Sequence, residues 1–265
     1  MGRDYSNITV VGIHGAGGGK KMLPAIEKTA AALPGSKKLL ITDKVIKANI
    51  PQKFVAQGLD YAGYSHFVIY CLHSYIDTEF ALIVQDDGWA LNPDAWNDEF
   101  MDYDYVGGLT HAALANGVFY KWYQWIGKAN PLVVQNGGFS LRSKSFLQAP
   151  SQYGIVMHQK ELKELNNEDI QLCCFMRPAI EATGLRFAPE DVARRFSFEH
   201  LHPLIHGDLD LKTIFGHHSR FRRLKDAKTM EWHLSDEQMK NIVWEDKVLQ
   251  LFKDYGYKIC HTHNK

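Results

Sequence analysis

The sequence predicts an α/β fold: a mixed, mostly parallel sheet flanked by helices, in one continuous domain with two sublobes. Three observations carry this. The N-terminal part alternates apolar strand-like runs with segments of helical spacing, and strand, helix, strand, helix, strand is the pattern of a sheet built through crossovers. The first apolar run ends at a glycine-rich loop. The third, Phe80 to Gln85, stops at two adjacent carboxylates, Asp86 and Asp87, and an open α/β sheet binds its ligands beyond such strand ends.

In chain order, NITVVGIH (7–14) is short and β-branched and reads as a first buried strand. MLPAIEKTAAAL (22–33) has helical spacing and is closed by Pro34-Gly35. KKLLIT (37–42) reads as a second strand, QGLDYAGYSHFVIYCLHSYI (57–76) as one or two amphipathic helices, and EFALIVQ (79–85) as the third apolar run. YDYVGG (103–108) follows, then NGGFSLRS (136–143), two glycines before an alternating strand. Next come a helix near 168–184 and the segments PEDVARRF (189–196) and TIFGHH (213–218). Residues 235–256 predict a long amphipathic helix, with Ser235 as cap and Asp236 and Glu237 in its first turn. No segment repeats.

The chain has 265 residues, 45% of them hydrophobic, enough for one large core or two fused lobes. Lys+Arg and Asp+Glu are both 30, so no chain-wide charge draws a polyanion, although a local basic face can still exist. The four cysteines, Cys71, Cys173, Cys174 and Cys260, lack the paired spacing of a disulfide framework or a zinc ribbon and read as reduced thiols of a cytoplasmic protein. The N-terminus has no apolar secretion-signal run, and no stretch approaches the roughly 18 apolar residues of a membrane span.

Each chemical motif has two readings by itself. The loop GAGGGKK (15–21) is either a flexible turn or a contact for a nucleotide, but its spacing fits neither the P-loop nor the dinucleotide fingerprint, since Lys20 occupies the third glycine's place and Lys21 follows it. Asp86-Asp87 is either a solvated turn or a pair of oxygen donors for a hard divalent cation. Gly137-Gly138 is a bulge, or a place where another molecule approaches the backbone. Glu168-Asp169 is a helix cap or an acid/base pair. His217-His218 is a core pair or a source of one metal ligand. Together these groups match what a nucleotide-sugar transferase requires: a carboxylate-held metal for the leaving diphosphate, a flat backbone wall for the sugar, a base and an imidazole.

Taken in order, YIDTEFALIVQDDGWALNPDAWNDEFMDYDYVG, NGGFSLRS, NEDI, RFAPEDVARRFSFE and FGHH resemble a bacterial and phage family of GT-A-like glycosyltransferases formerly catalogued as a domain of unknown function. The resemblance implies a GT-A-like, Rossmann-type single domain, with residues 1–108 as the nucleotide-binding half, 109–234 as the acceptor and catalytic half, and 235–265 as a C-terminal helix and tail. It implies Asp87 and His218 as metal ligands for Mn²⁺ or Mg²⁺. His14, Gly15, Asp86, Asp87, Gly137, Gly138 and Arg142 are implied at the donor, and Glu168 and Asp169 at catalysis, with Asp169 as the acceptor base. Trp89, Arg220, Arg222 and Arg223 are implied on the acceptor side. The chain departs from the family where Gly108-Leu109-Thr110 replaces Ala-Pro-Trp, where an aromatic insert occupies 119–131, and where Ser219 replaces a glycine.

The expected reaction moves a sugar from a nucleotide sugar, of the UDP type, to a hydroxyl of a glycan or of a hydroxymethylated base of phage DNA. The alternative is a nucleotide-sugar or glycan binding protein without turnover. A Rossmann oxidoreductase is disfavoured by the glycine spacing. The basic run Arg220, Arg222, Arg223, Lys225 and Lys228 is a solvated face or an anion surface, and the tail CHTHNK (260–265) reads as frayed.

Overall fold

Alternation along the first strands explains why the centre of the fold is a two-sided sheet. In β1 (Ile8–His14) and β4 (Phe80–Val84) almost every side chain is buried, as in a parallel strand covered on both faces. Ile8, Val10, Leu82 and Val84 pack on one face with Ala25 and Ile26 of α1 (Leu23–Ala32). Val11, Ile13, Ala81 and Ile83 pack on the other with Phe67 and Val68 of α2 (Tyr61–Tyr70). The computed structural model describes residues 3–55, 58–115, 118–121, 131–159, 163–235, 238 and 242–262.

The remaining strands are β2 (Lys37–Thr42), β3 (Gln52–Phe54), β5 (Gly88–Ala90), β6 (Tyr105–Ala115), β7 (Val118–Lys121), β8 (Pro131–Ser143), β9 (Ser197–Phe198), β10 (Gly216–His218), β11 (Arg222–Asp226), β12 (Thr229–Trp232) and β13 (Lys258–His261). Helices α3 (Lys144–Gln152), α4 (Glu168–Ile170), α5 (Arg177–Glu181), α6 (Glu190–Phe196), α7 (Pro203–His206) and α8 (Glu245–Asp254) fill the connections. The main sheet has seven described strands in the order β3-β2-β1-β4-β8-β6-β7. Five run in one direction, and only β7 and β8 oppose them. This is the mixed α/β architecture that the sequence predicted. A second sheet, β5-β10-β9, and a third, β11-β12-β13, complete the C-terminal half.

Two registers decide what meets what. β8 lies antiparallel to β4 with Ile83 opposite Ser140, so continuing past the end of β4 brings Gln85 and Asp86 beside Gly138 and Gly137. In the second sheet His218 pairs with Gly88 across an antiparallel ladder, and His217 pairs with Phe198 across a parallel one. The residue after each short strand is therefore delivered to one edge: Asp87 just before β5, His218 at the end of β10, and Glu199 just after β9.

Three expectations need correction. The helix expected over 168–184 is broken: after α4, residues Gln171–Phe175 form a π-helical turn in which Met176 N–H donates to Gln171 O at 2.8 Å, and the chain re-enters a regular helix at Arg177-Pro178. The helix expected over 235–256 is regular only as α8, behind Trp244 at φ 62°; Ser235 does exchange cap-type hydrogen bonds with Gln238, while 236–237 and 239–241 lie outside the described residues. The tail expected to fray instead forms β13 through His261, parallel to β12. Most of the aromatic insert, 122–130, lies outside the described residues. Among the described residues no helix is long and apolar enough to cross a membrane, and the four cysteines are free thiols.

Candidate active site

Beyond the ends of β1 and β4 a cavity of about 810 Å³ opens, with His14, Gly15, Asp86, Gly138, Asp169 and His218 among its lining residues. The aspartate pair is clamped by its backbone: Asp87 O accepts from Ser219 N at 2.8 Å, and Asp86 O accepts from Leu224 N at 2.7 Å. The side chains then diverge. Asp86 Oδ2 meets Arg223 Nη1 at 3.1 Å. Asp87 Oδ1 lies 3.3 Å from His218 Nε2, within ion-pair reach but without hydrogen-bond geometry, and is otherwise an unpartnered buried oxygen. Burial works against the charge of both groups. Even so, the mutual attraction holds the Asp87 carboxyl below its ordinary pKa and raises that of the His218 imidazole. Asp86 moves the other way, raised first by burial and then by the neighbouring Asp87 charge.

His218 is held from a second side. Its Nε2 lies 3.1 Å from Gln85 Oε1, and Gln85 Nε2 donates to the Tyr64 hydroxyl at 2.9 Å, so the residue before the acids braces the imidazole across the pocket. Its neighbour His217 points the opposite way along β10. It is fully buried, with its ring centroid 4.1 Å from that of Trp89 and 4.9 Å from that of Phe252, and desolvation drives its pKa far down. The pair that the sequence left undivided is therefore one core residue and one pocket residue.

Gly137 and Gly138 are glycines because two side chains occupy the space a Cβ would need. A Cβ on Gly137 would overlap Glu168 Oε1, and one on Gly138 would overlap the ring of His218 and crowd Gln85 Oε1. Behind Gly137, Arg142 and Glu168 form a buried pair with Nη2–Oε distances of 2.9 and 2.8 Å and side-chain exposures of 0% and 7%. Arg142 Nε also donates to Ser140 Oγ at 3.0 Å, and the guanidinium lies 4.8 Å from the Tyr105 ring centroid. Arg142 is thus a support beneath the pocket wall rather than a group that reaches a donor. Asp169, the next residue after Glu168, lies on the pocket side, where Oδ1 accepts from Ile170 N at 2.8 Å and Oδ2 from Gly137 N at 3.4 Å.

At the loop after β1, His14 Nδ1 accepts from Ala16 N at 3.3 Å and Gly18 N at 3.2 Å, and Gly15 packs against Leu59. Two expected acceptor residues are not at the surface. Trp89 is fully buried and donates to Tyr257 OH at 2.7 Å, because the alternation of β5 turns it into the core. Arg222 is fully buried in an ion pair with Glu245, because it alternates with the outward Arg223 on β11. Arg220 lines the pocket and Arg223 remains half-exposed at its rim.

Sequence reading missed Glu199, which lines the same cavity and accepts from Asn136 Nδ2 at 3.1 Å and Thr110 Oγ1 at 3.3 Å. Its only signal was its place at the end of RFAPEDVARRFSFE, and nothing local to that run announces a neighbour in β10. Gln85 and Tyr64 were also missed.

The arrangement is that of a mixed α/β protein with a carboxylate- and imidazole-lined ligand pocket at the carboxyl edge of its sheet. Residues 49–218, more than half of the chain, match the family described as "Protein of unknown function (DUF5672)", and the chain belongs to that family. No curated protein matches it significantly in sequence. Similar solved structures include the galactosyltransferase LgtC in complex with donor and acceptor sugar analogues, at 14% identity over 93% of this chain and 95% of that one, with a TM-score of 0.46. They also include the bifunctional IspDF from Campylobacter jejuni, at 10% identity over 70% of this chain, with a TM-score of 0.38. The chain spans 50% of the length of IspDF.

Proposed function

We propose that this protein is a GT-A-like glycosyltransferase that moves a sugar from a nucleotide diphosphate sugar, of the UDP type, to a hydroxyl acceptor. The observation that supports the reading best is the meeting of Asp87 and His218 at 3.3 Å, in a cavity that also carries Gly138 and Asp169. Three separate stretches of chain converge there, and a solvated turn or a helix cap would not need them to.

A divalent cation of the Mn²⁺ or Mg²⁺ kind fits this donor set, since the unpartnered Asp87 Oδ1 and the His218 imidazole supply an oxygen and a nitrogen at one edge of the cavity. Among the described residues no cluster of three or more His, Cys, Asp or Glu side chains is arranged to hold a metal. Asp87 and His218 would therefore hold the ion together with phosphate oxygens and water. Such an ion, when bound, neutralises charge on a leaving diphosphate.

The chain's own groups do the rest. Gln85 and Gly138 fix the His218 ring, and the bare backbone at Gly137-Gly138 leaves a flat wall for the donor sugar. Arg142 neutralises Glu168 and so anchors the turn that carries Asp169. The acceptor oxygen forms a bond to the anomeric carbon as the bond from that carbon to the diphosphate oxygen breaks, and the electron pair leaves with the diphosphate. In an inverting transfer the acceptor proton passes to the Asp169 carboxylate.

The test is UDP release from a panel of UDP-sugars, with and without acceptors, by wild-type protein and Asp87→Ala. The variant is expected to melt cooperatively and to lose turnover. Full activity in Asp87→Ala rejects the site, and sugar-nucleotide binding without release in the wild type supports the non-catalytic binding protein instead.

A further inference from the structure

A second cavity, of about 1020 Å³, opens beside the first and shares Asp86 and Arg220 with it. Its charge is opposite in character. Lys20, Lys21, Arg220, Arg223 and Lys225 line it, against two carboxylates, Asp86 and Glu231. Both carboxylates are already engaged, Asp86 with Arg223 at 3.1 Å and Glu231 with Lys225 at 3.5 Å. Lys20 and Lys21, on the turn after the glycine loop, form no ion pair with any described residue, so the groove keeps a positive excess in a chain whose formal net charge is zero. The first cavity is lined by Asp60, Asp86, Glu168, Asp169 and Glu199, and only Glu168 has a buried arginine to neutralise it.

We propose that the second cavity is a phosphate-binding subsite for the acceptor, and that the acceptor is a phosphorylated carbohydrate. Its hydroxyl end faces Asp169 and Glu199 in the acidic chamber, and its phosphate lies against Lys20 and Lys21. This rests on the transferase reading above. Carboxylates accept hydrogen bonds from hydroxyls and repel anions, whereas ammonium groups bind phosphate through charge-assisted hydrogen bonds. The two cavities therefore sort the two ends of one molecule by charge. A small ligand suits the groove better than duplex DNA, because duplex binding draws on roughly 6–10 phosphate contacts along an extended basic face. Here the excess is confined to one recess.

The experiment measures binding to the full chain by calorimetry, with glucose 6-phosphate as probe, glucose as its uncharged control and UDP as the donor-side ligand, for wild type and Lys20→Ser/Lys21→Ser. Both lysines are exposed, so the double variant is expected to keep the wild-type melting temperature. Loss of two charge-assisted contacts is expected to weaken glucose 6-phosphate binding at least about tenfold, with UDP affinity within about twofold of wild type. An equal loss of UDP affinity overturns the proposal, because the groove then serves the donor's diphosphate. So does unchanged binding of the sugar phosphate, or a duplex oligonucleotide that displaces it at equal phosphate concentration. Sugar phosphate bound through these lysines by a wild-type chain that does not bind UDP supports the groove and counts against the transferase reading alone.

Discussion

Two buried arginine–glutamate pairs hold two regions of this molecule, and they differ in what surrounds them. Arg222 and Glu245 join β11 to the start of α8. Glu245 Oε1 accepts from Trp232 Nε1 at 3.0 Å, Arg222 Nη1 donates to Glu199 O at 3.3 Å, and both side chains are sealed at 0% and 1% exposure. Arg142 and Glu168 lie under the Gly137 wall, and Glu168 keeps one side on the cavity. In residue types and burial the pairs are nearly the same. They differ in neighbours: beside Glu168 stands Asp169, facing solvent in the pocket, while beside Glu245 stand core residues. A buried ion pair of itself says little about function; its effect on chemistry comes from the residue it positions.

The largest effect separating the two is energetic. Arg222→Met alone strands the Glu245 charge and is expected to cost about 3–5 kcal/mol, read as a lowered melting temperature, and adding Glu245→Leu should recover most of it. The same two steps at the site, Arg142→Met and then Glu168→Leu, should recover stability but not UDP-sugar turnover. A stable site double variant with wild-type turnover would break the comparison.

A smaller effect concerns a buried polar group with no such partner. His206 on α7 is 1% exposed, and burial pushes its pKa down to about 4 despite a hydrogen bond from His202 N. Because the folded pKa lies below the unfolded value, stability is complete above about pH 6.5 and is lost as pH falls towards 4, by up to about 3 kcal/mol. His206→Leu should flatten the pH dependence of unfolding in that window; identical curves would remove His206 as the cause.

Gly138→Ala comes next. Its Cβ must displace the His218 ring, so turnover should fall on the order of 100-fold for a stability cost of about 1–3 kcal/mol. Equal turnover in Gly138→Ala would show that His218 is not needed in this position. The smallest effect belongs to the rim pair Asp86–Arg223, with Arg223 43% exposed: Arg223→Ala should change stability by less than about 1 kcal/mol, and a larger loss would mark it as structural like Arg222.

Much of the sheet was legible because it rests on local pattern. β1, β2 and β4 begin and end within a residue of the apolar runs that announced them, and the acids do fall just past the end of β4. The breaks were less legible. The π-helical turn at Gln171–Phe175 and the left-handed Trp244 interrupt runs whose periodicity reads as continuous, because each depends on packing rather than on spacing.

By itself the sequence determined the α/β class, the position of the twin carboxylates at a strand end and the presence of glycines where space is short. Those features come from neighbours in the chain, whose side chains alternate or repeat with fixed periods. Only the tertiary structure decided which histidine of the pair faces the pocket, that Trp89 and Arg222 belong to the core, and that Glu199 joins Asp87 and His218. Strand register and side-chain facing set those outcomes, and a shift of one residue in either would exchange buried for exposed along the whole strand.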